Sequence, residues 1–126
     1  LGILDDDLSS YFKAAVGNYK ITMDAKKEFL TSNLNINKIS ELMNSHHNYL
    51  KNDLKITTPE IDKMIDVSFE NGAIGSKIVG SGGGGSIVSL STNSNTSNKI
   101  VSALNSIGVK DAFIARKGNG PTINYE

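Results

Sequence analysis

The sequence predicts an α+β domain: an antiparallel sheet with helices packed on one face. Three observations carry that reading. Apolar residues recur at helical spacing through the first 71 residues. Two short β-branched runs, Lys77-Ile78-Val79 and Ile87-Val88-Ser89-Leu90, flank a stretch rich in glycine. A further helical stretch and a third apolar run follow, giving the order helices, then β–β–α–β. At 126 residues the chain is long enough for one domain with a core of its own, and residues 1–126 read as that single domain.

Leu8, Tyr11, Phe12, Ala15, Val16 and Tyr19 lie at i, i+3, i+4, i+7, i+8 and i+11, one face of a first helix. Asp5, Asp6 and Asp7 stand at its start, where the helix dipole favours negative charge. Gly17 weakens its middle, so a break before Met23 is expected, with a second helix over residues 23–30. Asn33 and Asn35 mark a turn. Ile36, Ile39, Leu42, Met43 and Leu50 give the next helical face, over about residues 36–51. Thr58 is placed as an N-cap, with Pro59 at the first helical position and Glu60 and Asp62 in the first turn. Ile61, Met64, Ile65 and Phe69 form that helix's stripe, and Gly72 stands at C′.

Strands are expected at residues 73–79 and 86–92, joined as a hairpin with an oversized loop. Residues 93–98 are polar and loop-like. Ile100, Val101, Leu104 and Ile107 mark a helix ended by Gly108, and residues 111–116 read as a strand. Gly118-Asn119-Gly120-Pro121 is a turn, and residues 123–125 read as a short edge strand.

Composition excludes several classes of function. Thirteen basic and thirteen acidic side chains give a formal net charge of zero, and the lysines are scattered, so no nucleic-acid surface is expected. No apolar run approaches the roughly 20 residues of a membrane span. No secretory signal is visible, and cysteine is absent, which removes disulfides and thiolate metal sites. A cytoplasmic location fits. Beginning at Leu1, the chain reads as a processed product or a fragment of something longer.

The candidate site is Gly80, Ser81, Gly82, Gly83, Gly84 and Gly85, in a run closed by Ser86. It holds five of the chain's twelve glycines. No side chain explains such a run, so its backbone matters. Glycine permits φ > 0, and successive N–H groups make a concavity suited to phosphate. The alternative is a flexible connector. The apolar strands abutting it favour an ordered loop. It is not a Walker A loop, because no Lys-Ser/Thr follows, and no helix opens after it as a dinucleotide fingerprint requires.

Other residues have plainer readings. His46 and His47 are adjacent, so on a helix they point about 100° apart and cannot share one metal; packing or capping suits them better. Asp5, Asp6 and Asp7, like Glu60 and Asp62, fit helix-start electrostatics. Lys77 faces either a phosphate or solvent. No catalytic triad spacing is present, and no catalytic or metal-ligating residue is assigned.

The segment from Thr58-Pro59-Glu60-Ile61-Asp62 through Gly72 to the tetraglycine Gly82–Gly85 resembles the C-terminal half of the GHMP small-molecule kinases. These include galactokinase, homoserine kinase, mevalonate kinase and phosphomevalonate kinase. Leu42-Met43-Asn44-Ser45-His46-His47 is similar to the Met-Asn-x-Ser-His stretch of galactokinases, with His47 on its histidine. The resemblance covers roughly residues 36–116. It implies a ferredoxin-like C-terminal domain of an ATP- and Mg2+-dependent kinase acting on a hydroxyl of a small molecule, galactokinase-like and so directed to a sugar. A mevalonate-type kinase part is the alternative within the family. The unbroken tetraglycine and Lys77-Ile78-Val79 depart from the usual galactokinase pattern, so the resemblance implies the family more firmly than galactose. Gly80 to Gly85 would then form one wall of the site. The family's N-terminal domain, with its phosphate loop and catalytic carboxylate, is absent from these residues. It is expected as a partner, in cis or as a separate chain, and the isolated chain is expected to be inert. Outside the resemblance, a non-catalytic ferredoxin-like binding or regulatory module remains the competing reading.

Overall fold

The computed structural model describes residues 5–80, 83–116, 118, 120, 121, 123 and 124. Helix α1 spans Asp6–Phe29, α2 Ile36–Asn48, α3 Pro59–Glu70 and α4 Ser94–Ser106; strands β1 and β2 span Gly75–Val79 and Ser86–Leu90. A π-helical turn, Tyr49–Asp53, prolongs α2. The result is α+β, as the sequence predicts.

Short polar side chains start each helix. Asp5 accepts from the Leu8 N–H at 2.8 Å, Asn35 from Asn37 and Lys38, Thr58 from Ile61, and Asn93 from Thr96 at 2.9 Å. Gly72 and Gly108 follow α3 and α4 with φ of +101° and +84°, a region glycine enters without a Cβ penalty.

The strands form a two-stranded antiparallel sheet in the register Gly75↔Leu90, Lys77↔Val88 and Val79↔Ser86. The hairpin expected around the glycine run is therefore present. The main core joins Leu50, Ile61, Ile65 and Ile78, with Ile78 fully enclosed. A second cluster, Ala73, Ile100 and Leu104, lies under α4, and Met64 touches both. Ser76 is buried in the sheet and its Oγ meets Ser89 Oγ at 2.8 Å, so its hydroxyl is satisfied across the strands.

Four expectations are corrected. α1 runs unbroken through Gly17 and Met23, because Gly17 is where the Tyr49 ring packs against the helix. The α1 stripe lies at the surface: Leu8, Tyr11, Phe12, Val16 and Tyr19 are each more than half exposed, and Ala14 is the helix's buried residue. α4 starts at Ser94 because Asn93 caps it, so the polar run after residue 93 is the helix's solvated first turn. Residues 111–116 form no strand: Ala112 leans on the α4 cluster while Phe113 is 75% exposed. Of the expected edge strand at 123–125, residues 123 and 124 are irregular and Tyr125 lies outside the described residues. No helix among the described residues is long and apolar enough to cross a membrane.

Candidate functional site

β1 ends at Val79 and the glycine loop begins. Gly80, Gly83, Gly84 and Gly85 adopt φ of +90°, +73°, +134° and +98°. Side chains rarely enter that region, so the backbone path itself requires glycine here. A Cβ at Gly80, Gly83 or Gly84 would meet nothing within 4 Å among the described residues. Ser81 and Gly82, the other two residues of the expected site, lie outside the described residues.

The loop's N–H groups are not equivalent. Gly83 N–H donates to Ile56 O at 2.9 Å, and Ile56 N–H donates to Leu50 O at 3.1 Å. The loop is thereby tied to the end of the π-helical turn. Gly84 and Gly85 N–H find no hydrogen-bond partner among the described residues. These are the donors an anion could use.

α2 flanks β1 on the edge away from β2. Asn44 Nδ2 donates to Ile74 O at 3.1 Å, and Asn44 Oδ1 accepts from Ser76 N–H at 3.1 Å. His47 Nδ1 accepts from Ile78 N–H at 3.2 Å. His47 is buried, and that bond assigns its proton to Nε2 when the ring is neutral. Burial lowers its pKa from the ordinary 6.5; nearby Lys51 and Lys77 act in the same direction and Asp62 opposes them. His46, half-buried on the next face, is lowered by burial, by Lys77 and by His47. The sequence favours a packed or capping His47, which is what the geometry shows, and places Asn44 in the same motif without a role of its own.

Lys77 is half-buried, and its ammonium donates to the carbonyl of Ile78 at 2.7 Å; burial lowers its pKa. Its charge is thus partly spent within the chain. Asp62 lies 3.2 Å from Lys51, an ion pair without hydrogen-bond alignment, since Oδ1 keeps no hydrogen-bond partner. The Glu60 carboxyl is held below its usual value by hydrogen bonds from its own backbone and from Thr58, a helix-start arrangement. No three His, Cys, Asp or Glu side chains gather as metal ligands among the described residues. A polar hollow of about 350 Å³ is lined by Lys13, Ser45, Asn48, Tyr49, Asn52 and Asp53, none of them a residue of the glycine loop.

This loop geometry lies within a wider match. Residues 27–110 fit the family described as GHMP kinases C terminal. The chain belongs to that family. Among its relatives, galactokinase of Bacillus subtilis (strain 168) is 39% identical over 57 residues, 44% of this chain and 15% of the relative. Galactokinase of Actinobacillus succinogenes is 33% identical over 92 residues, 71% of this chain and 23% of the relative. Galactokinase of Clostridium perfringens (strain SM101) is 28% identical over 114 residues, 86% and 29%. The chain thus spans less than a third of the length of these relatives. Within this GHMP kinase C-terminal chain, the family match encloses the Asn44–His47 contacts, α3 and the glycine loop together.

Proposed function

We propose that these residues are the C-terminal part of a cytoplasmic, ATP-dependent small-molecule kinase that phosphorylates a sugar hydroxyl. The observation that carries this is the loop from Gly80 to Gly85: φ > 0 at its described glycines and, among the described residues, open space beside Gly83 and Gly84 and two N–H groups without partners, inside a GHMP kinase C-terminal match. The galactokinase relatives supply the choice of a sugar. Phosphoryl transfer is mostly positioning and charge stabilisation. Gly84 and Gly85 N–H would hold an oxygen of the transferring group, and the bare Cα atoms of Gly83 and Gly84 would let the acceptor approach.

These residues fit a nucleotide only as one wall. They do not fit a Mg2+ ion, because no carboxylate cluster stands beside the loop among those described. The remaining ligands and the base would come from an N-terminal kinase domain, in cis or as a separate chain. The exposed α1 stripe of Leu8, Tyr11, Phe12, Val16 and Tyr19 supports such a partner, since a lone domain rarely leaves so much contiguous apolar surface open.

The test is ADP release, with and without sugars, by the 126-residue chain and by the full product of its gene. The chain alone should give background turnover. The full product should release ADP in the presence of galactose or a related sugar, and Gly84→Val should lower kcat/KM at least about 100-fold, the scale of a misplaced reacting group. Valine at a φ of +134° is strained, so the thermal midpoint of that variant should fall, and kcat/KM is read on the folded fraction below that midpoint. A full product that no sugar stimulates, or a Gly84→Val variant with normal kcat/KM, defeats the proposal.

A further inference from the structure

The glycine loop hangs from β1, so whatever sets the path of β1 sets the loop. The hydrogen bonds divide the strand by parity. The Ile74 carbonyl and the N–H groups of Ser76 and Ile78 meet side chains of α2, while Ile74 N–H donates to Leu90 O at 2.8 Å and Gly75, Lys77 and Val79 pair with Leu90, Val88 and Ser86. The α2 edge would otherwise be a row of unpaired N–H and C=O groups, costly where buried. Two side chains of α2 take the place of a third strand. Asn44 and His47 are three residues apart, hence on one face of the helix and about 4.5 Å apart along its axis. The groups they meet recur every second strand residue, about 6.7 Å apart. Asn44, donating and accepting at once, serves the nearer two, and the longer imidazole reaches the farther Ile78.

The same helix holds the loop at a second point. Its π-helical extension contains Leu50, whose carbonyl takes Ile56 N–H, and Ile56 O takes Gly83 N–H. Lys55, just before, has φ of +53°, an unusual conformation for a residue with a Cβ. α2 and its extension therefore grip the hairpin both before the glycines and within them.

We propose that Asn44 and His47 are positioning residues for the glycine loop, a side-chain ladder that keeps β1 in line, and that protonation of His47 opens it. The proposal rests on the kinase reading only for its consequence in phosphoryl transfer; the ladder is a property of this chain. Nδ1 can accept from Ile78 N–H only while it carries no proton. The charged groups acting on His47 are Asp62 from α3, Lys51 from the π-helical turn and Lys77 from β1, and on α2 itself the adjacent His46 is in turn lowered by His47. Burial and the lysines outweigh Asp62, so the folded chain holds the ring neutral below the pH at which an unfolded histidine would charge. The unfolded chain then binds more protons. The ladder's contribution is full above about pH 6.5 and is lost as pH falls through the lowered value.

The experiment is residue-resolved hydrogen exchange on the 126-residue chain, corrected for intrinsic exchange rates. His47→Leu should cut protection of Ile78 and Gly83 N–H about tenfold or more beyond any change at Ile100 and Leu104 of α4, the size of one lost buried hydrogen bond. His47→Gln, which restores an acceptor, should recover most of it. If Gly83 protection is unchanged, or falls only in step with α4, the ladder does not position the loop and the proposal is overturned. Should His47→Leu fail to fold, the native chain decides: the Ile78 amide shift must follow the His47 ring titration, and an amide that ignores it overturns the proposal. No kinase assay enters these readouts, so failure of the ladder and failure of the kinase reading are distinguishable.

Discussion

Tyr49 lays its ring against α1 at Gly17, where an added Cβ would stand 2.6 Å from Cε2 and 2.7 Å from the hydroxyl. Two effects compete in Gly17→Ala. Alanine gains about 1 kcal/mol of helix propensity. Crowding a ring held between α1 and the π-helical turn costs about 1–3 kcal/mol. The variant should therefore be less stable by urea unfolding, and in a Tyr49→Ala background the same change should become stabilising. A Gly17→Ala variant more stable than the native chain would show that the ring does not sit there. From sequence, Gly17 reads only as a weak spot in a helix. Its role depends on Tyr49, thirty-two positions along the chain, and no local pattern links the two. The role of Asn44 is illegible for the same reason: its partners, Ile74 and Ser76, lie thirty and thirty-two positions along the chain.

At the scale of elements, local chemistry was legible and pairing was less so. α3 could be read almost to the residue, because Thr58, Pro59 and Gly72 each impose a conformation by themselves. The hairpin was legible because β-branched residues stand directly on both sides of the glycines. α4 was read too short. Its first turn is polar because it faces solvent, and Asn93, as polar as the loop before it, is the cap. Asn93→Ala removes the acceptor for Thr96 N–H and should lower stability by about 1 kcal/mol, whereas Asn93→Ser should retain most of it. Equal urea midpoints for the alanine variant and the native chain would mean that the cap carries no energy. Residues 111–116 were read as a strand from their apolar content, yet a strand exists only where another offers an edge. The sheet described here has two strands, so Phe113 remains at the surface.

The whole molecule is a core gathered around α3 and β1 with one long amphipathic helix beside it. The periodicity of α1 was legible, but its burial was not, because a hydrophobic face specifies contact without specifying the partner. Likewise the glycine loop could be located from sequence, whereas the two ties that hold it, through Ile56 and through His47, come from packing. If the α1 stripe is surface in the chain as it stands, its residues contribute little to the chain's own stability. Leu8 and Phe12 are each 52% exposed, against 0% for Ala14 on the opposite side. Leu8→Ser with Phe12→Ser should then leave the urea midpoint nearly unchanged, within about 0.5 kcal/mol per surface site. The same pair should reduce binding of a hydrophobic dye and any concentration-dependent association seen by light scattering, because both draw on exposed apolar area. Were the stripe part of the internal core, each truncation would cost about 2–5 kcal/mol and the double variant would unfold. Ala14→Ser supplies the contrast: a hydroxyl placed in the α1 contact should destabilise the chain while leaving dye binding by the folded form unaltered.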